Sequence, residues 1–215
     1  CFILPFSFIF ISENFFEVIN MKRLTALITF ISLSMTLFAF SVSAENESGI
    51  TVKAESGVLM DVQTGQVLYS FSEHKQLYPA SVTKIMPLLL FMEALDSGKI
   101  SLDDTVTVSP DAASKGGSQI WLKEGEQMSV DELLRATAIA SANDACTALG
   151  EYIAGSESAF VKMMNDRAKT LGMKNTNFVN CSGLDDDTEE HLTTAYDIAL
   201  MSCELLRHEK IRDYT

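Results

Sequence analysis

Two pairs of residues in this chain have the types and spacing for acyl chemistry. Ser81-Val82-Thr83-Lys84 sets a hydroxyl and an amine three residues apart at the head of a strongly apolar run, 85–95. In a helix, positions i and i+3 share a face, so the lysine amine can reach the serine hydroxyl. A serine hydroxyl is a weak nucleophile until such a base takes its proton. The spacing by itself is common, and Ser72-Glu73-His74-Lys75 also has it but is given no role. What marks Ser81 is context. Pro79 suits a helix entrance. The apolar run would bury the helix and hold Ser81 at its N-terminal end, where free N–H groups favour negative charge. The second pair is Ser141-Ala142-Asn143, in a break between two helical patterns. In an acyl-transfer site such a serine can relay a proton to a leaving amine, and the asparagine amide can hold a substrate carbonyl and touch the lysine. Ser12-Glu13-Asn14 matches the same pattern but lies in a segment that does not read as part of the fold.

The elements that must position these residues are legible from periodicity. Residues 57–62 and 67–71 alternate as strands around the turn Gln63-Thr64-Gly65-Gln66, which predicts a hairpin. A loop leads to the Ser81 helix. Pro87 lacks the N–H that would bond back to Thr83 and should bend or loosen that helix; Gly98 stops it. Residues 106–108 read as a short extended piece, and 116–118 (Gly-Gly-Ser) as a flexible turn. Ser129-Val130-Asp131-Glu132 is a capping box opening a helix through Ile139. A further helical pattern runs through Ala145, Leu149 and Ile153. Another runs from Phe160 to Leu171, stopped by Gly172, and a last one is capped by Thr194. Trp121 and the methionines of 160–171 read as core. The acidic run 185–190 reads as a solvated loop, since it lacks calcium-loop spacing.

Composition narrows the class. The chain has 215 residues, 47% hydrophobic and 21% charged, which suits a globular domain, and its net charge of −13 disfavours a nucleic-acid partner. Residues 1–20 read as upstream translation and not as part of the fold. Met21-Lys22-Arg23 then opens a secretory pattern. An uncharged run continues to Val42-Ser43-Ala44, a small-residue cleavage site. On this reading 21–44 is a signal peptide and 45–215 is one folded unit outside the cytoplasm. A retained signal or a C-terminal tail would tie the protein to the membrane. Cys146, Cys181 and Cys203 form neither a disulfide framework nor a metal spacing, and Cys146 reads as a buried apolar residue. His74, His191 and His208 lack ligand spacing. No Gly-x-Ser-x-Gly elbow occurs, which disfavours a Ser-His-Asp hydrolase.

In this order, Ser81-x-x-Lys84 and Ser141-x-Asn143 resemble the motifs of the penicillin-recognising serine enzymes. The wider match is to one branch of them. Residues 57–69, 79–86, 138–145, 168–184 and 191–197 are similar to the low-molecular-mass penicillin-binding proteins, serine-type D-alanyl-D-alanine carboxypeptidases. Within 168–184, Leu171-Gly172-Met173-Lys174-Asn175-Thr176 and Asn180-x-x-Gly183-Leu184 carry the likeness. The resemblance implies an α+β fold of the β-lactamase/transpeptidase kind, a helical cluster packed on an antiparallel sheet. It implies Ser81 as nucleophile, Lys84 as base, Ser141 as proton relay and Asn143 as substrate holder. The backbone N–H of Ser81 would give half of an oxyanion hole. The implied substrate is a peptidoglycan stem peptide ending in D-Ala-D-Ala, with β-lactams as inhibitors and no metal or organic cofactor.

The family's third motif, Lys-Thr-Gly on an edge strand, does not occur after Asn143. Lys169-Thr170-Leu171-Gly172 is a near miss that reads as a surface lysine and a helix end. The expectation is therefore that C-terminal sheet strands are missing from this chain, and that it is weakly active or inactive alone. Two alternatives share the motifs. A serine β-lactamase of class A would add a Glu-x-x-Leu-Asn segment after the second motif, and none is present. A non-catalytic wall-binding homologue would keep the fold without the chemistry.

Overall fold

The helix after Ser81 is the axis of the fold, and its sequence says why. α1, Ile85–Asp96, buries Met86, Pro87, Leu88, Leu89, Leu90, Phe91, Met92 and Ala94, so it is apolar on nearly every side. A helix of that kind is stable only when other elements enclose it, and each large side chain contributes roughly 2 kcal/mol on leaving water. The computed structural model describes residues 52–184 and 189–214, which fall within one compact unit, Ile50–Thr215. The proposed leader segments 1–20 and 21–44, and residues 185–188 of the acidic run, lie outside the described residues.

The hairpin is present: β1 (Gly57–Met60) pairs antiparallel with β2 (Val67–Phe71), with a register shift between Leu59 and Met60. A second antiparallel pair joins β3 (Thr105–Thr107) to β4 (Gln127–Ser129). Among the described residues the strands form these two small sheets, and helix dominates. α2 (Pro110–Ala113) is a single turn. α3 (Val130–Ile139) starts at the expected capping box: Ser129 Oγ accepts from Glu132 N, and Ser129 N donates to the Glu132 carboxylate. Then come α4 (Asn143–Ala154), α5 (Glu157–Thr170) and α6 (Ala195–Leu205), the last capped by Thr194. A 3₁₀ turn, Glu209–Asp213, succeeds α6.

α4 and α5 approach closely because Gly150 has no side chain; a Cβ there would lie 2.7 Å from the Phe160 ring. Phe160 in turn stacks on Phe91 of α1, centroids 5.4 Å apart. Arg167 on α5 binds Glu93 of α1 and Glu204 of α6, tying three helices together. Among the described residues no helix is long and apolar enough to cross a membrane.

Two expectations change. Trp121 is not core: it is 75% exposed, with a left-handed backbone at φ 59°. The reason is Asp144, whose buried carboxylate accepts the backbone N–H of both flanking residues, Ile120 and Leu122. Gripping both neighbours turns the indole outward. Likewise 116–118 is not a free turn, because Asn143 holds it at two carbonyls. Pro87 acts much as expected. The turn preceding α1, Ala80–Lys84, is 3₁₀, and the α-helix proper begins at Ile85. With no Pro87 N–H to bond to Thr83, that turn is free to tighten.

Candidate active site

The 3₁₀ turn Ala80–Lys84 carries the first pair. Lys84 Nζ stands 3.3 Å from Ser81 Oγ and donates to the carbonyl of Ser182 at 2.8 Å. Ser81 faces solvent, whereas Lys84 is only 3% exposed. Burial strips water from the ammonium and pushes its pKa below the ordinary lysine value of 10.5, against a weaker upward pull from Cys146 and Cys181. Among the described residues no carboxylate pairs with it. A lysine biased toward the neutral amine has a lone pair to offer the neighbouring hydroxyl, as a general base requires.

The loop that anchors Lys84 is itself fixed. Asn180 Oδ1 accepts from the N–H groups of Ser182 and Gly183, and its Nδ2 donates to Leu184 O. Gly183 sits at φ 76°, and a Cβ on it would lie 1.8 Å from the carbonyl oxygen of Ala80. The loop therefore packs directly on the residue before Ser81. Ala80 is also left-handed, at φ 46°; strain of this kind needs firm surroundings to persist. His191 supplies some of them. Its Nδ1 accepts from Val179 N, so Nε2 carries the proton toward Thr83 Oγ1, 2.8 Å away.

The second pair lies on the bend between α3 and α4. Ser141 is half-buried at φ 54°, and its hydroxyl makes no hydrogen bond to Ser81 or Lys84 among the described residues. Asn143 opens α4. Its backbone N–H donates to Ser118 O at 2.7 Å and its Nδ2 to Gly116 O at 2.8 Å. Because Gly116 O can only accept, the other side-chain atom is the oxygen. That Oδ1 is buried without a partner, at a cost of about 1–3 kcal/mol until a donor arrives. The expected contact from Asn143 to Lys84 is not made among the described residues.

The two halves nonetheless meet. A Cβ on Gly117 would strike Asn143 Nδ2 at 2.8 Å and Leu184 Cδ1 at 3.1 Å. Below them, Cys146 Sγ on α4 donates to Cys181 O, next to the carbonyl that holds Lys84. Cys146 and Cys181 are free thiols and fully buried, and the hydrogen bond to Cys146 together with burial pushes the Cys181 thiol up. A small cavity lined by Tyr78, Pro79, Ala80, Gly183, Leu184 and His191 opens beside the nucleophile.

Sequence reasoning singled out Ser81, Lys84, Ser141 and Asn143 but missed what holds them. Gly117 and Gly183 were the signal for the close approaches; the Ser182 carbonyl left none, because any residue type supplies a carbonyl.

A solvent-facing serine thus stands beside a desolvated lysine on a mixed helix-and-sheet fold, and the Ser-x-Asn bend is tied to the lysine's loop through the Gly117–Leu184 approach and the Cys146–Cys181 hydrogen bond. Comparison with known proteins agrees. Residues 40–215 match the family described as D-alanyl-D-alanine carboxypeptidase. The D-alanyl-D-alanine carboxypeptidase DacF of Bacillus subtilis is 49% identical over 199 residues, covering 91% of this chain and 50% of that protein. Among solved structures, penicillin binding protein 6B from Escherichia coli superposes with a TM-score of 0.69 at 42% identity, covering 74% of this chain and 51% of the other. Penicillin-Binding Protein D2 from Listeria monocytogenes, in its ampicillin-bound form, gives 0.68 at 31% identity, with 77% and 67% covered. The chain belongs to the D-alanyl-D-alanine carboxypeptidase family, whose structural neighbours are penicillin-binding proteins, and it spans about half the length of the curated relatives it matches.

Proposed function

We propose that the protein works as a serine-type carboxypeptidase that removes the terminal D-alanine from peptidoglycan stem peptides and is acylated by β-lactams. The observation that carries this reading is the 3.3 Å approach of a buried Lys84, without a carboxylate partner among the described residues, to an exposed Ser81. Ser81 Oγ forms the bond to the carbonyl carbon between the two D-alanines while its proton passes to Lys84 Nζ. Ser141 hands its proton to the departing amine as the C–N bond breaks and takes one back from the Lys84 ammonium; Asn143, whose Nδ2 is engaged by Gly116 O, uses Oδ1 to accept from a substrate amide N–H in place of the carbonyl contact expected from sequence. Water then releases the shortened peptide. Trimming stem peptides removes donors for cross-linking, which ties the activity to cell shape.

The test uses protein expressed from its complete reading frame with a D-Ala-D-Ala peptide and a fluorescent penicillin. Release of D-alanine and one label per chain, both lost in Ser81→Ala, support the reading. Label without D-alanine release, or neither, overturns it. Rapid turnover of a chromogenic cephalosporin in place of stable acylation would make it a β-lactamase.

Export belongs to the same proposal. Support comes from the basic Met21-Lys22-Arg23 start and the uncharged run to Val42-Ser43-Ala44. N-terminal sequencing of the mature protein should begin at Glu45; a cytoplasmic, unprocessed product would refute it. Membrane attachment through a retained signal or a C-terminal tail would show as sedimentation with membranes that alkaline washing does not reverse.

A further inference from the structure

The two loops that anchor the site are joined by one ion pair away from the reacting atoms. Glu157, the first residue of α5, is part-buried, its side chain 16% exposed. Its Oε1 accepts from the backbone N–H of Cys181 at 3.1 Å, and its Oε2 from Lys115 Nζ at 2.6 Å. Cys181 immediately precedes Ser182, whose carbonyl holds Lys84. Lys115 immediately precedes Gly116, whose carbonyl holds Asn143. A single carboxylate therefore reaches from the peptide beside the lysine anchor to the side chain beside the asparagine anchor. The loops also touch directly, Gly117 against Leu184.

Physical chemistry favours keeping both charges. Burial opposes ionisation of Glu157, but Lys115 and the Cys181 amide outweigh it and hold the carboxyl below its ordinary 4.5. Burial likewise works against the Lys115 ammonium, but Glu157 and Asp111 more than offset it. Lys115 also reaches Asp111 at 3.2 Å, across one turn. The side chains are 22% and 16% exposed, so the pair is shielded more than a surface pair. Breaking it from one side leaves a half-buried charge alone.

We propose that Lys115 and Glu157 are positioning residues for the acyl-transfer site, a strut that fixes where Asn143 stands relative to Lys84. The proposal rests on the carboxypeptidase reading for its kinetic consequence only. Neither residue is placed to touch substrate. Each acts through one backbone carbonyl, and together they make the two anchors move as one body.

The experiment compares Lys115→Met, Glu157→Gln, the double variant and Lys115→Arg in the complete protein. Rates of acylation by a fluorescent penicillin are scored per titrated active site, so that unfolded protein does not count. Each single variant is expected to slow acylation about tenfold at full stoichiometry. The double variant should be no slower than the worse single, because both remove the same link. Lys115→Arg should recover to within about threefold, since it keeps the charge and the reach. Independent folding defects would instead multiply. Hydrogen exchange supplies a readout free of chemistry: amides of 116–118 and 179–184 should exchange faster together in either single variant. Acylation within twofold of the parent, multiplicative losses, or faster exchange in one loop alone would each overturn the strut. A parent that takes no penicillin would sink the carboxypeptidase reading, and the exchange measurement would still decide this one.

Discussion

The chain holds two Ser-x-x-Lys segments nine residues apart, and they meet opposite fates. At Ser72 the lysine, Lys75, reaches out to Glu55 at 2.8 Å, with both side chains more than half exposed. At Ser81 the lysine turns inward, loses its water and, among the described residues, bonds to a hydroxyl and a carbonyl. Both segments even carry a left-handed residue, Ser72 itself in one and Ala80 beside the other. The difference lies in the residues downstream of each lysine and in the loop packed above. An all-round apolar helix succeeds Lys84 and draws it under the 180–184 loop, whereas a short loop, Gln76-Leu77-Tyr78-Pro79, succeeds Lys75. What separates the two is desolvation of the lysine in a fixed frame, and the spacing is only its precondition.

The contrast breaks most sharply at the reacting groups. Ser81→Ala should abolish penicillin labelling, and Lys84→Arg should cut acylation by on the order of a thousandfold, since general-base assistance is worth about 10²–10⁴. Ser72→Ala and Lys75→Met should leave the rate within about twofold. Equal losses at both segments would show that burial does not separate them.

Next comes the frame. Gly183→Ala places a methyl 1.8 Å from Ala80 O at a φ of 76°, and should cost more than about 3 kcal/mol or displace the loop from Lys84. Thermal unfolding and labelling would both register it. Asp144→Ala removes the acceptor for the N–H groups of Ile120, Leu122 and Ala145 and should cost about 2–4 kcal/mol. Trp121 is the sole tryptophan, so the same variant is readable in its fluorescence anisotropy, which should fall as the loop loosens.

The pH profile tests the desolvation itself. Acylation needs the neutral amine, so the rate should climb tenfold per pH unit on its acid side and level off at the Lys84 pKa, below 10.5. A limb at the ordinary lysine value would mean that burial does not tune the base. The smallest effect belongs to the surface pair: Lys75→Met should leave the melting temperature unchanged within error.

Much of this was legible because it is local. The hairpin turn, the capping box at Ser129, the Thr194 cap, the glycine stop at Gly172 and the Ser81 and Asn143 motifs each depend on residues within one or two turns, where backbone physics is dictated by the side chains themselves. Trp121 misled because its size argued for burial, and only a carboxylate 23 residues on, Asp144, decided otherwise. The turn at Gly116 looked idle in sequence, and only the fold puts it in the grip of Asn143.

The sequence by itself determined which groups could react and which helix would be buried, since hydrophobic periodicity and i, i+3 spacing are properties of a short segment. Tertiary structure alone decided that Lys84 would be dry, that Ser182 would hold it, and that Glu157 would join its loop to that of Lys115. Those outcomes rest on backbone carbonyls and amides brought together from 24 to 98 positions apart, and such groups are the same in every residue, so nothing in the order of side chains announces them.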